Sequence, residues 1–152
     1  MALTIIAILQ SLIEHMNNYI VYTDAAFSSS RNQMGIGIVF LNGDKEILEY
    51  SRMYKGGTNN IAELVAVIVS LRMVKKPINS LIIYTDSKYV IGCATLGWKR
   101  KMNTKLWKEF DKQFECVKQL CPNIEFRHVK GHSGNKWNEL ADRLAVAASQ
   151  RL

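Results

Sequence analysis

The chain has 152 residues, 48% of them hydrophobic and 22% charged, with 20 Lys and Arg against 13 Asp and Glu and a net charge of +7. That length suits one domain with a single buried core, and the apolar content excludes a chain disordered as a whole. Nine Gly, two Pro and three Cys exclude collagen-like and disulfide-scaffold classes, while the positive balance points to a polyanionic partner without separating nucleic acid from a membrane surface.

The first segment, Met1–Met16, is apolar at Leu3, Ile5, Ile6, Ile8, Leu9, Leu12 and Ile13 but interrupted by Gln10, Ser11 and Glu14. It is too short and too broken for a membrane span, and it lacks the basic start and small-residue cleavage site of a signal peptide. Helical spacing of Ile5, Leu9, Leu12 and Ile13 predicts an amphipathic helix packed on the domain. Residues 1–16 are therefore expected to be an extension, with the domain proper at 17–152. A cytoplasmic protein without a membrane partner is the expectation.

Tyr19–Thr23 alternates and is rich in β-formers, predicting a strand that stops at Asp24. Phe27–Met34 reads as a polar loop, and Gly35–Leu41 as a second strand. Asn42-Gly43 signals a hairpin, with Glu46–Tyr54 returning as a third strand. Gly56-Gly57 breaks the chain before a helix at Asn60–Val74. Leu81–Thr85 has the all-apolar character of a buried strand, and a short helix follows, capped by Ser87 or Asp86. A longer helix at Thr104–Leu120 ends before Pro122. Ile124–Val129 is the last strand, followed by a Gly-His-Ser-Gly loop and a helix at Lys136–Ser149. The order β-β-β-α-β-α-α-β-α predicts an α/β fold with one mixed sheet: the first three strands antiparallel, the fourth and fifth parallel, and helices flanking them.

Two segments are alike: Ile20-Val21-Tyr22-Thr23-Asp24 and Ile82-Ile83-Tyr84-Thr85-Asp86. If the two strands lie side by side and parallel, two carboxylates meet at the sheet edge where open α/β sheets place their sites. Carboxylates held that close repel unless a proton or cation sits between them. An aspartate after a strand is also an ordinary turn or cap residue. Glu63, in the first domain helix, is equally compatible with a capping box begun by Asn60. Asp142, one turn after Asn138 and off the apolar face, also reads as a solvated helix carboxylate. His132, between Gly131 and Ser133-Gly134, sits in a loop suited to a proton shuttle and equally to an ordinary loop histidine.

Taken in order, Thr23-Asp24, Thr58-Asn59-Asn60-x-x-Glu63, Tyr84-Thr85-Asp86-Ser87, Gly131-His132-Ser133-Gly134 and Asn138-Glu139-x-x-Asp142 resemble the motifs of type-1 ribonuclease H over roughly Asn17 to Ser149. The resemblance implies a ribonuclease H-like fold and an endonuclease that cuts the RNA strand of an RNA–DNA hybrid, leaving 5′-phosphate and 3′-hydroxyl ends. It implies Asp24, Glu63, Asp86 and Asp142 as catalytic carboxylates holding two Mg²⁺ ions, with Mn²⁺ as a substitute, and His132 as the loop histidine. Hard oxygen ligands without a Cys or His cluster agree with such ions. Asn59 and Asn60 match positions that contact the substrate minor groove, and Thr58 one that helps bind a DNA-strand phosphate. A monomer is expected, with residues 17–152 as the catalytic domain.

The segment Gly97–Lys112 holds Lys99, Arg100, Lys101, Lys105, Lys108 and Lys112 against Glu109 and Asp111, a local +4, with Trp98 and Trp107 between them. Lysines interleaved with aromatics suit phosphate contact and stacking; a solvated amphipathic helix with Trp107 in the core is the alternative. Trp98, Lys99, Lys88 and Asn138 complete the expected substrate contacts. Where the family often has small residues after the first aspartate, this chain has Ala25-Ala26-Phe27 and then a serine-rich loop, and Lys88 replaces a polar residue. Competing readings are a non-catalytic nucleic-acid-binding module of the same fold, a reverse-transcriptase ribonuclease H domain, and a zinc module written on Cys116, Cys121, His128 and His132. The four carboxylates speak against a pure binder of polyanions, and the short Cys–His gap against zinc.

Overall fold

The computed structural model describes residues 2–14 and 17–152. In chain order the elements are α1 (Ala2–Glu14), β1 (Asn18–Ser28), β2 (Gln33–Asn42), β3 (Lys45–Lys55), α2 (Asn59–Arg72), β4 (Ser80–Thr85), α3 (Lys88–Thr95), α4 (Thr104–Leu120), β5 (Asn123–His128) and α5 (Lys136–Ser149). The strands form one sheet in the order β3-β2-β1-β4-β5. β1, β2 and β3 pair antiparallel, and β4 pairs parallel with both β1 and β5.

Alternation along β1 and β4 assigns the two faces of this sheet. Val21, Leu81 and Ile83 join the larger core beneath α2 and α4, together with Leu64, Trp107 and Phe110. Ile20, Tyr22 and Tyr84 point the other way, into a smaller core closed by Ala141, Leu140 and Leu144 of α5. α5 comes unusually close to β2, because a Cβ at Gly37 would strike the Ala141 carbonyl and one at Gly35 the Ala145 carbonyl. Glycine at both positions lets backbone lie on backbone.

Three expectations need correction. The first strand does not stop at Asp24: β1 continues to Ser28 and β2 begins at Gln33, so the loop shrinks to a four-residue turn at 29–32. The extra length is held by pairing with β2 alone, since the ladder with β4 ends at Thr23–Thr85. α2 starts one residue early and is capped by Thr58, whose hydroxyl accepts from the Ile61 amide; Asn60 is therefore no cap, and Glu63 lies beyond capping-box reach. Helix α1 forms as expected, but Ile5, Ile6, Ile8 and Leu9 are each more than half exposed, so they are not packed on the domain. Leu12 and Ile13 fall outside the residues whose side chains are described. Among the described residues no helix is long and apolar enough to cross a membrane.

Candidate active site

The twin strand motifs are in register residue for residue: Ile20 with Ile82, Tyr22 with Tyr84, Thr23 with Thr85. Tyr22 and Tyr84 stack at 4.6 Å between ring centroids. Two residues further on, at the point where the parallel ladder ends, come Asp24 and Asp86. Asp24 is 4% exposed, and its Oδ1 accepts from the Ala25 amide at 2.8 Å. Asp86 is half-buried, with Ser87 behind it capping α3 through its hydroxyl. The second turn of α2 brings in Glu63, buried against the sheet. One carboxylate oxygen from each of Asp24, Glu63 and Asp86 lies within 4.8 Å of the others. Asp142 arrives from α5 and lines the same hollow.

The electrostatics follow from this crowding. Burial, then the neighbouring Asp86 charge, pushes Asp24 up to about 8. Burial likewise raises Glu63 well above the ordinary carboxylate range, with Asp24 and Asp86 adding to it. Asp86 is also raised, by burial first and Asp142 second, with His128 opposing. Glu63 Oε2 is buried without a hydrogen-bond partner. Such an oxygen is costly to bury unless something cationic or protonated meets it. An all-oxygen set of this kind fits a hard divalent cation.

The hollow above the carboxylates, about 470 Å³, is lined also by Asn59, Asn60, Ser87, Lys88, Tyr89 and His132. His132 is exposed at positive φ, in the turn between β5 and α5. That turn passes close to the carboxylates: a Cβ at Gly131 would lie 2.8 Å from Asp86 Oδ2. Beyond Asn59, Asn60 and Tyr89 a second hollow of about 530 Å³ opens, lined by Thr58, Lys99, Lys101 and Asn103.

Thus Asp24, Glu63, Asp86, Asp142, His132, Asn59, Asn60 and Lys88 share one hollow, and Thr58 and Lys99 lie in the next. Two expected contacts stand apart from both. Asn138 is buried one turn before Asp142, its Oδ1 without a partner. Trp98 is half-exposed and covers Gly92. Arg100 and Trp107 leave the expected phosphate-contacting set. Trp107 is core, and Arg100 is bound to Asp111 and stacked on Trp107. The cysteine–histidine string forms no cluster: among the described residues, Asp24, Glu63 and Asp86 are the one grouping of three close potential ligands. Tyr89 escaped sequence reasoning. It lines both hollows, and its hydroxyl accepts from Asn103 Nδ2 and Trp107 Nε1. Its place in the first turn of the helix after Asp86 was the available signal.

A mixed sheet in this order, with buried carboxylates at the end of its central parallel pair, is the architecture of a ribonuclease H-like protein. The RNase H family model matches residues 16–150. The chain is 40% identical over 141 residues to ribonuclease H of Trichodesmium erythraeum, covering 87% of this chain and 88% of that one. It is 37% identical over 143 residues to ribonuclease HI of Synechocystis, covering 88% and 89%. The solved structure of LC11-RNase H1 in complex with an RNA/DNA hybrid superposes with a TM-score of 0.70 at 25% identity, over 86% of this chain and 96% of that one. The chain belongs to the ribonuclease H family, and it is an enzyme of the ribonuclease H class.

Proposed function

We propose that this enzyme hydrolyses the RNA strand of RNA–DNA hybrids at the Asp24–Glu63–Asp86–Asp142 cluster, leaving 5′-phosphate and 3′-hydroxyl ends. The observation that carries the reading is the buried carboxylate triad, its oxygens within 4.8 Å, with the orphaned Glu63 Oε2 among them. Asp24, Glu63, Asp86 and Asp142 would hold two Mg²⁺ or Mn²⁺ ions. When bound, such ions acidify a water and stabilise the leaving oxygen of an in-line displacement. Asn59 and Asn60, at the rim, offer amides that can both donate to and accept from a 2′-hydroxyl, the group that distinguishes RNA from DNA. Lys88 and Lys99 supply phosphate attraction, Thr58 a hydroxyl, and half-exposed Trp98 a stacking face. His132, exposed on its turn, can carry a proton to or from the leaving group. Asn138 lies one turn before Asp142 on α5, with a buried Oδ1 free to accept a hydrogen bond. A monomer is proposed, with residues 17–152 as the catalytic domain, residues 1–16 as an extension to it, and the cytoplasm as the compartment.

Incubating end-labelled hybrid, single-stranded RNA, double-stranded RNA and DNA duplex in Mg²⁺ tests this. Cleavage confined to the RNA strand of the hybrid, with Asp24→Asn lowering kcat at least about 10³-fold, is expected. Folded protein inactive in both Mg²⁺ and Mn²⁺ would promote the non-catalytic binding module.

A further inference from the structure

The seven residues 97–103, between α3 and α4, are built more firmly than a connecting loop requires. Gly97 takes φ of 70° to turn the chain away from α3. Trp98 donates its amide to the Gly92 carbonyl at 3.1 Å, and its indole fills the space a side chain at Gly92 would need. Arg100 sends Nη1 to both Asp111 carboxylate oxygens at 2.8 Å and Nε to the Cys93 carbonyl at 3.2 Å. Its guanidinium lies 4.3 Å from the Trp107 ring centroid. Asn103, left-handed at φ 58°, donates to the Tyr89 hydroxyl at 3.1 Å.

Between these anchors Lys99 and Lys101 are exposed and line the second hollow beside Thr58 and Asn103. No carboxylate among the described residues pairs with either lysine. Arg100, though basic, faces the other way and spends its charge on Asp111. The planar fork of arginine makes that triple attachment possible, and lysine could not reproduce it.

We propose that Arg100 is a positioning residue for substrate binding. By pinning the centre of loop 97–103 it holds the stretch of backbone from which Lys99 and Lys101 extend along the second hollow, so that both ammonium groups are within reach of the phosphodiester backbone of the hybrid. The inference rests on the hybrid-cleaving function proposed above. A loop already fixed before the hybrid arrives has little backbone freedom left to lose on binding, so rigidity of the backbone beneath two cations raises their contribution to affinity.

Asp111→Asn and Arg100→Gln are the decisive variants, with a short RNA–DNA hybrid as probe. Asp111→Asn frees Arg100 and adds a positive charge, so simple attraction predicts tighter binding. The positioning role predicts the opposite, a KM raised about 3- to 5-fold with kcat within twofold. Arg100→Gln gives the same split, and in an Asp24→Asn background both variants lower the salt slope of hybrid binding by about 1. Added to Lys99→Gln/Lys101→Gln, Arg100→Gln has no further effect on Kd, and Arg100→Lys does not rescue. Thermal melts confirm that each variant is folded. Tighter binding by Asp111→Asn, full additivity with the lysine pair, or a kcat loss at constant KM would each overturn the proposal while hybrid cleavage by the parent stands. No binding or cleavage of hybrid by the parent chain would overturn the functional reading, and this inference with it.

Discussion

At the scale of single residues, the carboxylates that fit this site for a cation weaken the fold when no cation is present. Asp24 is raised from 3.8 to about 8, and Glu63 and Asp86 are raised with it, mainly by burial. Between about pH 4 and pH 8 the folded chain thus keeps protons that the unfolded chain has released. Stability contributed by these groups is present at the acid end of that window and is lost as pH rises through it, at about 1.4 kcal/mol per unit of difference. With EDTA present, the melting temperature should fall from pH 5 to pH 8, and Asp24→Asn should flatten the decline. Mg²⁺ should raise the melting temperature more at pH 8 than at pH 5, because protons and cation compete for the same oxygens. Thermal melts followed by circular dichroism check this, and a metal-free protein growing more stable across the window would contradict it. The sequence exposed Asp24 and Asp86 because their strands repeat the same five-residue pattern. Tyr89 and Arg100 were hidden, since their partners lie 14 or 18 and 11 positions away respectively, and such pairings leave no periodic trace.

At the scale of elements, hydrophobic periodicity gave the order of strands and helices within the domain, because each element buries one face. Ends were less legible: β1 outruns its predicted stop because pairing with β2 continues after β4 has ended, a fact about a neighbouring strand. The exposure of Ile5, Ile6, Ile8 and Leu9 on α1 was illegible for the same kind of reason. An amphipathic pattern says which face could be buried, and not whether a partner is there. α5 shows how packing and chemistry are tied. It rests on β2 where Gly35 and Gly37 leave room, and Gly37 is the pairing partner of Asp24. The same helix carries Asp142. Gly37→Ala would force α5 outward, and we expect a loss of about 2–4 kcal/mol, above the usual single-site cost. Because Asp142 moves with the helix, kcat should fall in the fraction that remains folded. Urea denaturation and single-turnover cleavage measure the two effects. A fully stable and fully active variant would mean that α5 does not need this close approach.

At the scale of the whole molecule, charge is segregated by depth. The net +7 already counts Asp24, Glu63, Asp86 and Asp142 as charged, so the surface away from the site is more basic than that figure, while the carboxylates that matter for chemistry sit at the end of the central strands. Attraction of a polyanion must therefore come from the rim, because the cluster alone would repel it. Lys88 stands at the rim of the first hollow, and Lys99 and Lys101 at that of the second. Arg100, bound to Asp111, and Arg72, bound to Glu109, are neutralised at home. If the three lysines each meet one phosphate, log Kobs for hybrid binding should fall with log salt at a slope of about −2.7. Affinity then drops about 40-fold between 50 and 200 mM salt, while kcat at saturating hybrid stays nearly constant. Fluorescence anisotropy on the Asp24→Asn protein at fixed Mg²⁺ gives the slope. A value far steeper would require Lys105, Lys108 and Lys112 on α4 to reach the duplex as well, enlarging the footprint beyond the two hollows. A slope near zero would mean that the substrate is held through neutral contacts at Asn59, Asn60 and Thr58, with the basic surface serving solubility alone.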